Sequence, residues 1–322
     1  MSVVEPTCEV LLITSWLMKC GISEHSEMLV ESMKHADKEI KFYPCDELNP
    51  SRLTPALYDR PSIIHLNYQA ALHSQWTPAW IRTFQQRGKK VVVTYHDTGV
   101  PNSDQCKAII DAADAAVVHE PFDDLPAEKT HYWRMGVWDP WVGGPPMQLD
   151  ADGRPILGTI GFPFPWKCYD ELCRVTARAG WGIQLLASGR TRAEYQRWKG
   201  LNRWLLCYKG FLSREHAISH LAGSDVTAFT YVTHNTGQSG AILLGIAARK
   251  PVIALSTCRQ FRALYQDPLG RKVIQWCETF EEVEERLHQP LQRVDPGIVA
   301  LGEQESWRHL APKYAALYRS LL

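Results

Sequence analysis

Short apolar runs alternate with amphipathic stretches along almost the whole chain. In the first half, strand-like runs fall at residues 9–15, 63–67, 90–96, 115–119 and 132–135. Between them, residues 23–36, 78–87 and 104–113 repeat their apolar side chains at helical spacing. The Gly- and Pro-containing stretch WVGGPPMQLDADGRP (141–155) breaks this rhythm and predicts a linker, with a domain boundary between positions 142 and 155. Alternation then restarts. Strands are predicted at 156–161, 183–187, 205–208, 226–230, 252–255 and 273–276, and helices at 167–179, 192–199, 214–222, 241–248 and 280–287. A last amphipathic helix is predicted at 305–321. Two blocks of strand–helix alternation predict an α/β protein with two Rossmann-like, parallel-sheet domains. The expected division is 1–145, 152–300 and a C-terminal helix within 303–322.

One helix departs from the amphipathic pattern. Residues 241–248 have no polar face, which predicts a helix buried all round. It follows the small and polar TGQSG (236–240), with Ser239 at the N-cap position, and ends at Arg249-Lys250-Pro251. An open helix start of this kind presents free N–H groups and the positive dipole end, a setting for phosphate. The same residues also read as a buried helix after a tight turn, with no ligand.

Ligands of parallel sheets sit outside the carboxyl ends of the strands, and two such domains place the natural site in the cleft between them. The predicted strand ends carry the chemistry. His96-Asp97 follows VVVTY, His119-Glu120 follows AAVV, Lys167 follows the strand at 156–161, and Arg190 follows the strand at 183–187. Lys167, Arg190 and two helix starts suit a diphosphate. His96 suits a hydroxyl, a carbonyl or a proton shuttle, with Asp97 to orient it. His119 and Glu120 suit contact with an acceptor. Each also reads as an ordinary surface charge, cap or core histidine. Gly21 opens a loop into a helix with Ser23 as N-cap and Glu24 in its first turn.

Composition narrows the classes. Formal charge is zero over 322 residues, which argues against a dedicated nucleic-acid binder or an anionic-membrane anchor. Nine scattered cysteines without CxxC predict a reduced, cytoplasmic protein. The N-terminus does not read as a signal peptide, and no apolar run is long enough to cross a bilayer. No His, Cys or Asp cluster has metal-ligand spacing along the sequence, so no metal is expected. GxSxG and GxGxxG are both absent, which argues against a hydrolase nucleophile and a nicotinamide or flavin enzyme.

Taken in order, SWLMKCGISEHSEML, VVVTYHDTG, AAVVHEPF, WRMGVWD, IGFPFPWKCYDEL, GFLSREHAISHLAGSDVTAF, NTGQSGAILLGIAARKPVIA and SWRHLAPKYAALYRSLL resemble the GT-B glycosyltransferases of the retaining family four. The resemblance spans nearly the whole chain. It implies sugar transfer, with retention, from a nucleotide-diphosphate donor to a carbohydrate, lipid-linked or other hydroxyl acceptor, without a resident metal or cofactor. It implies an N-terminal acceptor domain, a C-terminal donor domain and a last helix crossing back to the first. Residue by residue, Gly21 matches the glycine approaching the diphosphate, His96 the histidine near the transferred sugar, and Lys167 the diphosphate lysine. Thr236, Gly237, Gln238, Ser239, Gly240 and Ala241 would meet the donor at the helix start. His96, Lys167 and Arg190 are the expected catalytic set, and His96, Asp97, His119 and Glu120 the acceptor set. The chain departs from the family at Phe162, where an arginine is usual, and at Thr236 and Leu244, where two glutamates are usual. These losses keep open a nucleotide-sugar epimerase or a silent nucleotide-sugar-binding protein on the same scaffold. Twelve tryptophans keep open, more weakly, a transferase acting on modified nucleic acid.

Overall fold

The computed structural model describes residues 8–16, 20–70, 72–96, 103–120, 125–138, 145–232, 238–290 and 294–322. The chain divides into two compact units. The first comprises Met1–Met135, Asn235–Gln238 and Trp307–Leu322, and the second comprises Gly136–His234 and Ser239–Ser306.

In the first unit the elements run β1 (Cys8–Ile13), α1 (Gly21–Ala36), β2 (Ile40–Cys45), α2 (Pro55–Tyr58), β3 (Ile63–Tyr68), α3 (Pro78–Gln86), β4 (Lys90–Tyr95), α4 (Ser103–Ala112), β5 (Ala115–Val118) and β6 (Thr130–Tyr132). All six strands are parallel, in the order β2-β1-β3-β4-β5-β6. The central strands are buried on both faces, which is why they read as unbroken apolar runs. The pattern hides β2, whose IKFYPC lies at the sheet edge with Lys41 and Pro44 exposed, where a proline is tolerated.

The second unit contains β7 (Ile156–Ile160), α5 (Tyr169–Arg178), β8 (Gly182–Leu186), α6 (Arg192–Leu201), β9 (Leu205–Tyr208), α7 (Arg214–Ala222), β10 (Val226–Phe229), α8 (Gly240–Ala247), β11 (Val252–Leu255), α9 (Arg262–Gln266), α10 (Pro268–Val273), β12 (Gln275–Cys277), α11 (Phe280–Leu287) and α12 (Pro296–Gln304). Its parallel strands lie in the order β12-β11-β10-β7-β8-β9, the doubly wound Rossmann arrangement. Gly245 allows α8 to lie close to β10, since a Cβ there would fall 2.4 Å from the Phe229 ring.

The last helix, α13 (Trp307–Leu321), belongs to the first unit and packs against α1. Buried His65 on β3 is hydrogen-bonded through Nδ1 to the Tyr318 hydroxyl (2.6 Å) and through Nε2 to the Thr94 hydroxyl (2.8 Å). Arg319 forks onto the Asp37 carboxylate at the end of α1 (3.0 and 3.1 Å). The helix begins at Trp307 and not at 305, because α12, capped by Asp295 on the Gly297 and Ile298 N–H groups, occupies the chain up to Gln304. Two further boundaries move. The strand expected at 273–276 is Gln275–Cys277, since α10 runs to Val273. The strand expected at 132–135 is Thr130–Tyr132.

Candidate functional site

In the second sheet the strand order reverses between β7 and β10, and a crevice forms outside the carboxyl ends of such strands. Gly161 follows β7 with φ 146°, a conformation that favours glycine. The chain then makes a 3-10 turn, Pro165–Lys167, and passes through Cys168 at φ 53° into α5. This turn is why α5 starts at Tyr169 and not at 167. The Val232 N–H, beyond β10, donates to the Trp166 carbonyl (2.8 Å) and holds the turn against the reversal point.

That placement buries Lys167, which is 8% exposed. Its Nζ lies 3.3 Å from the centroid of the Tyr231 ring, and a Cβ at Gly161 would lie 3.3 Å from the same ammonium. Among the described residues no carboxylate pairs with it. Burial pushes its pKa down to about 7, with a smaller opposing contribution from Cys258. The Tyr231 hydroxyl donates to the Ile160 carbonyl (3.4 Å) at the end of β7, and Ser239, the residue before α8, lies beside it. Lys167, Tyr231 and the opening of α8 therefore lie together.

Ser239 has N-cap backbone geometry, but its side chain makes no cap bond. The first turn of α8 carries no acidic residue, and a Cβ at Gly240 would meet nothing within 4 Å. The helix start is thus open, and Ala241 next to it is only half-buried. The start of α5 differs. The first turn of α5 holds Asp170 and Glu171, and Asp170 accepts from Arg197 and from the Trp198 indole. Leu244 is half-buried in α8. Phe162, in place of the family arginine, joins an aromatic group with Phe164 and Trp166, whose rings stack at 4.5 Å.

Arg190 lies one strand away, with its guanidinium over the Tyr195 ring (4.5 Å) and near the Cys207 thiol, whose pKa rises with burial against a smaller lowering by the guanidinium. Among the described residues no contact joins it to Lys167. Gln238, grouped with the first unit, accepts the Met135 N–H through its side-chain carbonyl (2.6 Å). Asp97, Thr236 and Gly237 lie outside the described residues.

In the first unit, Gly21 is the exposed first residue of α1 and not part of a loop, and Cys20 occupies the N-cap position. Ser23, expected as the cap, is buried and donates its hydroxyl proton to the Trp16 carbonyl (2.9 Å). His96 and His119 follow β4 and β5 as expected, and Glu120 is buried beside His119. The fold adds His25 from α1, so that three imidazoles converge. The ring centroids are 4.7 Å apart for His25–His96, 5.4 Å for His25–His119 and 5.0 Å for His96–His119. Burial, reinforced by the other imidazoles, holds His25 and His96 well below the usual histidine range. Burial takes His119 to about 4, against a smaller opposing contribution from its bond to Trp133. All three are therefore neutral near pH 7. Sequence reading missed Asn67, which pairs with His96 (3.0 Å), and the Trp133 carbonyl, which pairs with His119 (2.8 Å). Tyr231 was also missed, although it lies in the polar tail after β10 that marks a strand exit.

No sequence-family model matches this chain, and no curated protein matches it in sequence. Solved structures match over nearly its whole length. A glycosyltransferase from Rickettsia africae ESF-5 superposes with a TM-score of 0.70 at 14% identity, over 98% of each chain. Anabaena Alr3699/HepE, solved with UDP and glucose, gives 0.67 at 12% identity, over 98% of this chain and 100% of that one. An alpha-glucosyltransferase solved with UDP and a 13-mer DNA containing an HMU base gives 0.62 at 14% identity, over 97% and 99%. At these identities the likeness carries the architecture, and the chain has the two-sheet GT-B fold of solved glycosyltransferases.

Proposed function

We propose that this protein is a glycosyltransferase of the retaining, family-four type that uses a nucleotide-diphosphate sugar. The observation that carries this reading is Lys167: a buried ammonium with no carboxylate among the described residues, at the strand-order reversal, packed on Tyr231 beside Ser239 and an open helix start. A buried cation without a counter-ion is costly, and a diphosphate would supply the missing charge. As the sugar–phosphate bond breaks, negative charge grows on the leaving diphosphate. The Lys167 ammonium and the first N–H groups of α8, from Gly240 and Ala241, would stabilise it. Arg190 adds positive potential from the tip of β8. The donor phosphate oxygen would take the acceptor proton, so no side chain of the protein need serve as nucleophile. His96, Asp97, His119 and Glu120 would serve the acceptor or the transferred sugar.

UDP, present in two of the superposed structures, is the first ligand to test. The experiment is a thermal-shift series with UDP, GDP and UDP-sugars, followed by donor cleavage and NMR of the anomeric product. Stabilisation by a nucleotide diphosphate with cleavage of its sugar is expected, and a retained anomeric configuration supports the mechanism. Binding without cleavage across acceptors supports the silent binding protein, the reading that the apolar Leu244 favours. No nucleotide-diphosphate binding overturns both.

A further inference from the structure

The three imidazoles of the first unit are arranged for a ligand of their own. Ser26 gives its hydroxyl proton to the Ile22 carbonyl (2.8 Å), so its oxygen must accept from the Asn67 amide. The Asn67 carbonyl oxygen then faces His96 and accepts the Nε2 proton (3.0 Å). That bond fixes the tautomer and leaves His96 Nδ1 as a bare lone pair. His119 donates its Nδ1 proton to the Trp133 carbonyl (2.8 Å), which leaves Nε2 bare, buried and, among the described residues, without a partner. His25 is fully buried, and among the described residues neither of its ring nitrogens has a partner. Each ring thus offers a lone pair, and two are held by outer hydrogen bonds of the kind that orient metal-ligating histidines. One nitrogen from each ring lies within 4.8 Å of the others.

We propose that His25, His96 and His119 bind a divalent transition-metal ion of the zinc class. Three neutral imidazoles without thiolate or carboxylate suit borderline ions such as Zn²⁺ and Co²⁺. Tetrahedral bonds of about 2.0–2.1 Å place nitrogens about 3.4 Å apart, so closure needs side-chain shifts on the order of 1 Å. The unmet buried nitrogens of His25 and His119 are expensive to leave bare, and an ion shared with His96 satisfies both. Trp307 closes one side of His25, with ring centroids 5.0 Å apart, while His96 is only half-buried. The open fourth position therefore lies on the His96 side and would take water or a hydroxyl oxygen. Two of the three ligands, His96 and His119, are the residues assigned above to the acceptor or the transferred sugar, but metal binding needs no nucleotide and is read without any transfer.

The test is a Co²⁺ titration of the full chain, freed of metal with chelator, followed by visible absorption and calorimetry. One equivalent with the intense d–d bands of a tetrahedral ion is expected, displaced by Zn²⁺ and at least tenfold weaker in folded His25→Gln and His119→Gln. His35→Gln, which changes an exposed histidine on the same helix, should bind as the wild type does. No stoichiometric binding by the wild type overturns the proposal. So does unchanged affinity in either cluster variant that circular dichroism shows to be folded. If neither variant folds, X-ray absorption of the wild-type Co²⁺ protein decides, since three imidazoles support the site and one or none refute it.

Discussion

Replacing Lys167 with methionine should stabilise the free protein while weakening donor binding. The ammonium is 8% exposed, and burial brings its pKa from the ordinary 10.5 to about 7. That fall corresponds to about 5 kcal/mol of unfavourable burial when the charge is present. Its contact with the Tyr231 ring is part of that balance, since only the charged ammonium makes it. Methionine removes the penalty while keeping an apolar stem of similar length. At pH 6.5, Lys167→Met should therefore be up to about 5 kcal/mol more stable in urea unfolding of the second unit. The pH dependence has a definite sign. Between about 7 and 10.5 the unfolded chain holds the lysine proton and the folded chain does not, so wild-type stability rises with pH relative to the variant, by at most about 1.36 kcal/mol per pH unit. The gap should narrow steadily above about pH 7 and close only as the pH approaches 10.5. In the same variant, UDP affinity measured by calorimetry should fall about ten- to 150-fold, the worth of one charge-assisted contact. A variant that is less stable than wild type, by an amount constant from pH 6.5 to 9, would show that the ammonium is not a buried, unpaired charge. Unchanged UDP affinity would place the diphosphate elsewhere.

Gly240→Val should remain folded, because its Cβ meets open space, yet lose UDP affinity by about tenfold or more as the branched side chain blocks the helix start. Ser239→Ala, which removes the hydroxyl beside Tyr231, should cost about 0.5–1.5 kcal/mol in stability with a smaller effect on UDP. Calorimetry with circular dichroism checks both, and wild-type binding by folded Gly240→Val refutes the role of α8. His96→Ala should lower turnover by about 10²-fold or more while UDP affinity stays within about threefold, since the donor groups lie in the second unit. Equal losses would indicate a structural role. Gly245→Ala should destabilise the second unit by about 1–3 kcal/mol in thermal unfolding, as its methyl would press on the Phe229 ring. Acid should also destabilise the protein. Burial holds His65 at about 3 and His73 at about 4, so below pH 6.5 the unfolded chain takes up protons that the folded one refuses. Stability should fall with pH by up to about 1.36 kcal/mol per unit for each. A flat urea profile from pH 7 to 4.5 would contradict this.

The apolar runs of the sequence determined the parallel strands, because strands buried on both faces must be apolar throughout, and their polar ends marked His96, His119, Lys167 and Arg190 as strand exits. The all-apolar 241–248 likewise announced a buried helix with an open start. The half-exposed edge strand β2, interrupted by Pro44, and the helix α12 were not legible, since edge strands and short capped helices carry no such periodicity. Nor does periodicity say which tips meet. Strand order decided that Tyr231, one strand across the reversal from β7, lies under Lys167 and beside Ser239. It also decided that Arg190 turns to Tyr195 and Cys207. The histidines make the point most clearly. His25, His96 and His119 lie far apart in sequence, and no local spacing marks them as a cluster. They meet because the order β2-β1-β3-β4-β5-β6 sets β4 beside β5, while α1 brings His25 back over their ends. Burial is written in the local pattern of a chain, whereas convergence of side chains depends on pairings between distant segments that only the folded sheet brings about.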